Sequence, residues 1–387
     1  MKEQLLIRSF GPVHEASIEL SDLTVFVGPQ ATGKSLAAQA LYFLRGIEDL
    51  LVSVPTSVET PAAIALSALE WWLGNAPSVY ADPGTVLCWS SAKLFKGSKQ
   101  EIRWTQEGVR LSGALKKRIT TSQRKERGDS PKTQVYIPAG RTLYSFLTPS
   151  SALRFVSRAR PEQQWPGYII TFYETLGKAL ERLAREGIQV NQFSDVDSLL
   201  RLKQQIQSIF KGRIQYGPDT IVLETEKAHL RPVNIAAGQM EIWPFWAVVE
   251  AGLQSGTLVA LDVYFEEPEA HLHPGAQRSV MEMVAFLVRR GVRVLLITHS
   301  PYILYAINNF LMAQKVLDEG LALPAEVPLE TALRPDQVAA YRFDASGKVH
   351  NIMDSEVGLI DEDELDQAAD DLGATFTQLQ ERLEGIA

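Results

Sequence analysis

Eight consecutive residues, Gly28-Pro29-Gln30-Ala31-Thr32-Gly33-Lys34-Ser35, have the types and spacing of a loop that cradles phosphate. In such a loop backbone N–H groups converge on an anion, and the positive end of the following helix favours the charge. The lysine of the motif reaches the β- and γ-phosphates, and the hydroxyl after it ligates magnesium. Lys34 and Ser35 occupy those two positions, so the expected ligand is a nucleoside triphosphate with Mg2+. A glycine-rich turn with a stray lysine would match the letters but not the flanks. The loop follows an apolar run, Leu23–Val27, and opens a helix-like segment from Ser35 to Leu51.

A second chemical cluster closes the apolar run Leu258–Phe265: Glu266-Glu267-Pro268-Glu269-Ala270-His271-Leu272-His273-Pro274. An acid at the end of a strand beside the phosphate-loop strand is where magnesium is held through water, and Glu266 fits that role. Glu267, one residue on, is placed to polarise an attacking water. His271 and His273 could be metal ligands; their spacing and the lack of cysteines favour a structural or dimer-contact turn. The next apolar run, Val294–Thr298, ends in His299, which from an adjacent strand can reach a γ-phosphate and the attacking water. Upstream, Ala236-Ala237-Gly238-Gln239 forms a small-residue turn before a helix. It reads either as a site for a second phosphate, offered by another protomer, or as a plain helix cap.

Positioning these groups requires an alternation of strand and helix. Residues 4–27 read as two or three strands, followed by helices to about Leu51 and over Ala62–Leu73, then strands near Thr85–Trp89 and Glu101–Thr105. A basic stretch, from Lys116-Lys117-Arg118 to Lys132, reads as a mobile loop or hairpin tip before Val135–Arg141, a strand ending in a turn. Residues 160–212 have helical spacing, short strands return at Ile214–Tyr216 and Thr220–Leu223, and from Asn234 onward helix and strand alternate. The runs around Leu258–Phe265 and Val292–Thr298 are near-continuously apolar, as buried parallel strands are, and Gly291 stands at a helix C-cap. The expected fold is α/β: a P-loop NTPase with a doubly wound core (1–55 and 213–320), an antiparallel β lobe with the basic loop (56–159), a helical insertion (160–212) and a C-terminal β/helical tail (321–387).

The bulk properties agree with such a protein. A chain of 387 residues with 45% hydrophobic and 22% charged residues can bury one large core or two modest ones. No apolar run approaches the length of a membrane span, and the single cysteine, Cys88, suits a reducing cytoplasm. A net charge of −8 argues against wholesale coating of nucleic acid.

The order of these motifs resembles the ABC-type ATPase heads of the OLD, Rad50 and SMC class. By that resemblance Gly28–Ser35 is the Walker A loop, Ala236–Gln239 the signature turn, Glu266 and Glu267 the Walker B acids and His299 the switch histidine. The acid-rich run from Glu266 to Pro274 and the segment Phe10–Ala16 are most like the OLD branch. There are departures. No coiled-coil insert of the length Rad50 or SMC heads carry is present, Ala236 stands where a serine is common, which suggests slow hydrolysis, and a Q-loop glutamine is expected only somewhere before Arg141. OLD proteins also carry a Toprim nuclease domain, for which the residues after His299 offer no acidic set; Asp361, Glu364, Leu365, Leu372, Phe376, Leu379 and Leu383 instead suggest a solvated or partner-docking helix.

The resemblance implies a homo-oligomer with ATP sandwiched between protomers, because the signature turn serves the loop of the opposite head. It also implies an effector supplied by another chain, as in bacterial anti-phage defence systems such as PARIS, with a nuclease as partner and a phage protein as trigger. The alternative is a repair or recombination ATPase that clamps duplex DNA, for which the Lys116–Lys132 segment would supply phosphate contacts. A transporter subunit or a small-molecule kinase fits less well, since a kinase needs neither a signature turn nor a switch histidine.

Overall fold

The computed structural model describes residues 3–51, 60–74, 76–91, 99–122, 134–139, 141, 165–186, 196–217, 220–255 and 261–361. Its centre is a six-stranded sheet built on β3 (Leu23–Val27), the strand that feeds the phosphate loop. The order is β14 (Val349–Asn351), β13 (Val338–Phe343), β3, β12 (Arg293–Ile297), β11 (Asp262–Glu266) and β7 (Gln134–Ile137). All pairings are parallel except that of the edge strand β14. Alternate residues of each strand face opposite sides, and the core divides accordingly. Val25, Val263, Phe265, Val294 and Leu296 face one hydrophobic cluster. Phe26, Tyr136, Tyr264, Leu295 and Ile297 face the other.

Helix α1 (Lys34–Leu51) and α2 (Pro61–Leu73) cover one face with a five-stranded antiparallel sheet, ordered β2 (Val13–Leu20), β1 (Glu3–Phe10), β4 (Ala81–Ser90), β5 (Lys99–Thr105) and β6 (Gly108–Leu111). A short helix α3 (Ala76–Tyr80) precedes β4. The other face takes α5 (Gly167–Glu186), α6 (Val196–Phe210), α7 (Ala237–Ser255), α8 (Pro274–Arg289) and α9 (Pro301–Asp318). A three-stranded sheet of β8 (Arg213–Tyr216), β9 (Ile221–Glu224) and β10 (His229–Leu230) lies between α6 and α7 in sequence. Gly291 has φ +86 just beyond α8, the left-handed conformation that ends a helix. This is the α/β architecture of a P-loop NTPase, an ABC-ATPase-like head with an antiparallel β lobe and helices inserted between β7 and β11.

Three placements differ from the sequence expectation. The acid-bearing strand β11 is not the neighbour of β3; β12 stands between them and brings His299 next to the phosphate loop. Hydrophobic runs identify buried strands but carry no order, because helical crossovers allow a later strand to insert. Strands β13 and β14, from the region read as a tail, and β7, from the region read as the lobe, belong to the central sheet. Finally, Lys116, Lys117 and Arg118 lie on a helix, α4 (Gly113–Ser122), whose Leu115 and Ile119 are buried at i, i+4 spacing. Arg118 is buried with them and donates to Leu44 O (3.0 Å), Arg45 O (2.9 Å) and Glu48 Oε1 (3.2 Å), which removes it from any open basic surface. The remainder of the basic stretch (123–133), Gly140 and the tail residues 362–387 lie outside the described residues.

Candidate functional site

The phosphate loop is shaped by two glycines that no other residue could replace without movement. Gly28 has φ +134, and a Cβ there would lie 2.2 Å from the Phe343 carbonyl of β13. Gly33 has φ +93, and its Cβ would meet Val13 Cγ2 at 2.5 Å. Between them Pro29, Gln30 and Ala31 form an exposed rim, with Ala31 left-handed at φ +60. Thr32 Oγ1 donates to Pro29 O across the turn at 2.9 Å. The Lys34 ammonium curls back into the loop and donates to Gly28 O (2.8 Å), Pro29 O (2.5 Å) and Thr32 Oγ1 (3.5 Å). Burial pushes its pKa down to about 8, opposed by the charges of Glu267 and Glu269. Ser35, half-buried, follows in the first turn of α1.

Backbone hydrogen bonds lace the ends of the three strands together. Thr298 N donates to Phe26 O at 3.0 Å, joining β12 to the phosphate-loop strand, and Glu267 N donates to Ile297 O at 2.7 Å, joining β11 to β12. The acids that emerge there point in different directions. Glu266 is buried, and its carboxylate turns toward β7, accepting from Tyr136 Oη (2.7 Å) and Ala139 N (2.8 Å). Burial, with the Glu266 charge beside it, holds the Tyr136 phenol well above its usual range, so it stays a donor. Glu267 has φ +44 and is half-exposed, and its Oε1 lies 3.9 Å from His299 Nε2. That separation is longer than a hydrogen bond.

Four residues of the site were not singled out by the sequence reading. Glu269 Oε1 accepts from Thr298 Oγ1 (2.8 Å) and from the backbone N of His299 (2.7 Å), so it fixes the peptide that carries the histidine. Thr298 Oγ1 in turn accepts from Ser300 N at 3.0 Å, the start of α9. Tyr136 anchors Glu266, and Arg141 donates to the carbonyls of both Glu266 and Glu267. The acid Glu269 was visible in the Glu266–Pro274 run, but its partner lies thirty residues on, on another strand.

The turn Ala236–Gln239 begins α7. Gln239 reaches back to accept from Ala236 N at 3.2 Å and donates to Phe210 O (2.8 Å) and Ile209 O (3.3 Å) at the end of α6. Gly238 is pressed on the loop after Glu267, where a Cβ would lie 2.5 Å from His271 O. Ala236 and Ala237 are exposed, so the helix start faces outward. His273 caps α8, its Nδ1 accepting from Gly275 N at 3.2 Å, which is the structural use of that turn. Among the described residues no group of three or more histidines, cysteines and acids could hold a metal ion.

These residues fit a nucleotide. Gly28 and Gly33 let the loop close against Phe343 and Val13, where a Cβ would collide, and Lys34 has donors now satisfied by its own loop that phosphate oxygens could take over. Magnesium needs few protein ligands beside the phosphates and water. Ser35 provides a hydroxyl, and Glu266 uses only two of its roughly four acceptor positions on Tyr136 and Ala139, leaving capacity for a metal-bound water.

Residues 261–304, from β11 through His299 to the start of α9, match the family described as "AAA domain, putative AbiEii toxin, Type IV TA system". Among solved structures the chain is similar to the SMC head domain from Thermotoga maritima, at 12% identity over 79% of this chain and 92% of that one, with a TM-score of 0.39. It is also similar to the Smc head domain of Pyrococcus furiosus bound to the C-terminal domain of ScpA, at 14% identity over 90% of this chain and 95% of that one, with a TM-score of 0.44. No curated protein matches the sequence. None of the helices among the described residues is long and apolar enough to cross a membrane.

Proposed function

We propose that this chain binds Mg-ATP at Gly28–Ser35 and hydrolyses it slowly at composite sites between two copies. In this reading it is the cytoplasmic sensor or scaffold subunit that governs a separate effector, a nuclease, in anti-phage defence. The observation that carries the ATP reading is the lacing of β3, β12 and β11, which sets Lys34, His299 and Glu267 at adjacent strand ends. Lys34 holds the β- and γ-phosphates, and Ser35 and Glu266 are the residues that would hold magnesium, Glu266 through water. Magnesium, when bound, supplies charge neutralisation at the phosphates. Glu267 accepts the proton of the attacking water, being half-exposed and free of the anchoring that ties Glu266 down. His299, held by Glu269 through its backbone, contacts the γ-phosphate side of that water.

The exposed start of α7 at Ala236 and Ala237 supports the second half of the site, offered to the loop of a partner copy. ATP then acts as the adhesive between protomers and hydrolysis releases them. The effector half of the reading is supported by the OLD-like motif set and by the matched family's description, which names a "putative AbiEii toxin, Type IV TA system". Arg118 is buried and bonded to Glu48, so a DNA-clamping alternative would rest on the other basic residues of the segment.

The test is the Glu267→Gln protein, which should bind ATP and stay assembled. Light scattering is expected to show a doubled mass on adding Mg-ATP, abolished by Lys34→Ala. The same mass with and without ATP would refute ATP-gated assembly. Co-purification of a second, nuclease-active chain with Glu267→Gln would support the effector reading, and recovery of duplex DNA alone would favour the clamp.

A further inference from the structure

Arg141 is fully buried, and it spends its donors on backbone. Its Nη1 donates to Glu266 O (2.7 Å) and Pro138 O (3.3 Å), its Nη2 to Glu267 O (2.8 Å) and its Nε to Glu241 O (2.7 Å). The guanidinium lies 4.8 Å from the centre of the Phe265 ring, and its Nε is 3.4 Å from Glu241 Oε2. The planar guanidinium spreads its five donors over three nitrogens and so reaches three separate chain segments, whereas a lysine ammonium gathers its three donors on one atom.

The segments it ties are the ones a composite site would need to coordinate. Glu267 sits in the left-handed region at φ +44, a conformation that a glutamate keeps only where its surroundings impose it. Its N–H is fixed to Ile297 O, and its carbonyl is held by Arg141 from one side and by Ala270 N (3.1 Å) from the other. Glu241 lies two residues after Gln239, at the start of the helix that carries the Ala236–Gln239 turn. Its carboxylate stands between Arg141 and His271, whose Nε2 is 4.0 Å from Glu241 Oε1. A displacement of the α7 start therefore reaches the Glu267 peptide through one side chain.

We propose that Arg141 is a positioning residue that holds Glu267 in its outward, left-handed conformation and couples that conformation to the start of α7. The proposal rests on the ATPase reading above. Under it, engagement of the Ala236–Gln239 turn by a partner's nucleotide sets the placement of the attacking-water acid, so turnover depends on assembly. Burial lowers the Arg141 pKa while Glu241 opposes the shift, and it stays charged at neutral pH.

The experiment is Arg141→Lys in the full chain, read by three measurements. Affinity for a fluorescent ATP analogue should stay within about twofold of the parent, because the phosphate loop is untouched. The kcat should fall about 100-fold with KM little changed, the effect of misplacing a reacting group by around an ångström. Hydrogen exchange of the Glu267, Ala270 and Leu272 amides in the ATP-bound protein should speed up about tenfold as that loop loosens. Unchanged exchange at those amides, kcat within about threefold of the parent, or parallel loss of nucleotide affinity would each overturn the proposal. If the lysine variant fails to fold, Arg141→Gln combined with Glu241→Gln removes the buried charge pair together and takes its place. A parent protein that binds ATP without turning it over would defeat the hydrolysis reading alone, while the exchange measurement would still decide what Arg141 does.

Discussion

Raising the pH should weaken ATP binding well before ordinary lysines titrate. The perturbation acts on Lys34, whose buried ammonium has its pKa lowered to about 8 from the usual lysine value of 10.5. Burial disfavours the charged form, and Glu267 and Glu269 recover only part of the loss. The sign follows directly. Below pH 8 the group is charged in the free protein and ready for phosphate. Above it the free protein is neutral, while bound phosphate favours the ammonium, so binding takes up a proton. One unit above the pKa about one molecule in eleven is charged, which weakens the apparent affinity about tenfold, or ~1.4 kcal/mol.

Titration calorimetry between pH 7 and 9.5 measures this directly, with each pH repeated in two buffers of different ionisation heat. Near pH 9 the two buffers should differ by the uptake of about 0.9 proton per ATP. A lysine at its ordinary pKa would leave both affinity and proton count flat over the range, since it is about 97% charged at pH 9. Flat affinity with no proton uptake would therefore refute the argument that the loop buries its own cation. Lys34→Ala supplies the control, since it should bind weakly with no pH trend.

Two further outcomes follow from the same geometry. Gly28→Ala should cost about 2–4 kcal/mol in urea unfolding and abolish nucleotide binding, because the new methyl meets Phe343 O at 2.2 Å on a backbone of φ +134. Glu269→Ala should leave ATP affinity nearly unchanged and reduce turnover by about 10–100-fold, since the hydroxyl of Thr298 and the N–H of His299 lose their shared acceptor.

The parts of this molecule that could be read in the sequence are those whose chemistry is contiguous. The phosphate loop, the Glu266–Glu267 pair and His299 each sit at the end of an apolar run, so strand and site are written in neighbouring letters. The helices α5, α6 and α8 likewise declare themselves by apolar spacing. What stayed hidden depends on pairing across distance. Nothing local in Val338–Phe343 says that it flanks β3, and nothing local in β12 says that it separates β3 from β11. Helix α4 was masked by its own charges, since two buried positions among lysines and arginines are a faint signal beside a run of basic residues. Arg141 reads as a surface turn residue until the carbonyls it binds, more than a hundred positions away, are brought to it.

The three acids in the four residues from Glu266 to Glu269 show why those distant partners matter for chemistry. Their side chains are identical, so composition cannot assign them different work. Tyr136 and Ala139 draw Glu266 inward against β7, where they hold its carboxylate in place. Thr298 and the His299 amide draw Glu269 sideways onto β12, where it serves the backbone. Between them the left-handed φ of Glu267 turns its carboxylate away from both neighbours, toward His299 and the phosphate loop. Only that acid combines partial exposure with freedom from a backbone anchor, and these are the properties a proton acceptor for water needs. The division of labour therefore lies in one peptide conformation, and the residue with most control over that peptide is the buried arginine that binds the carbonyls on both sides of it.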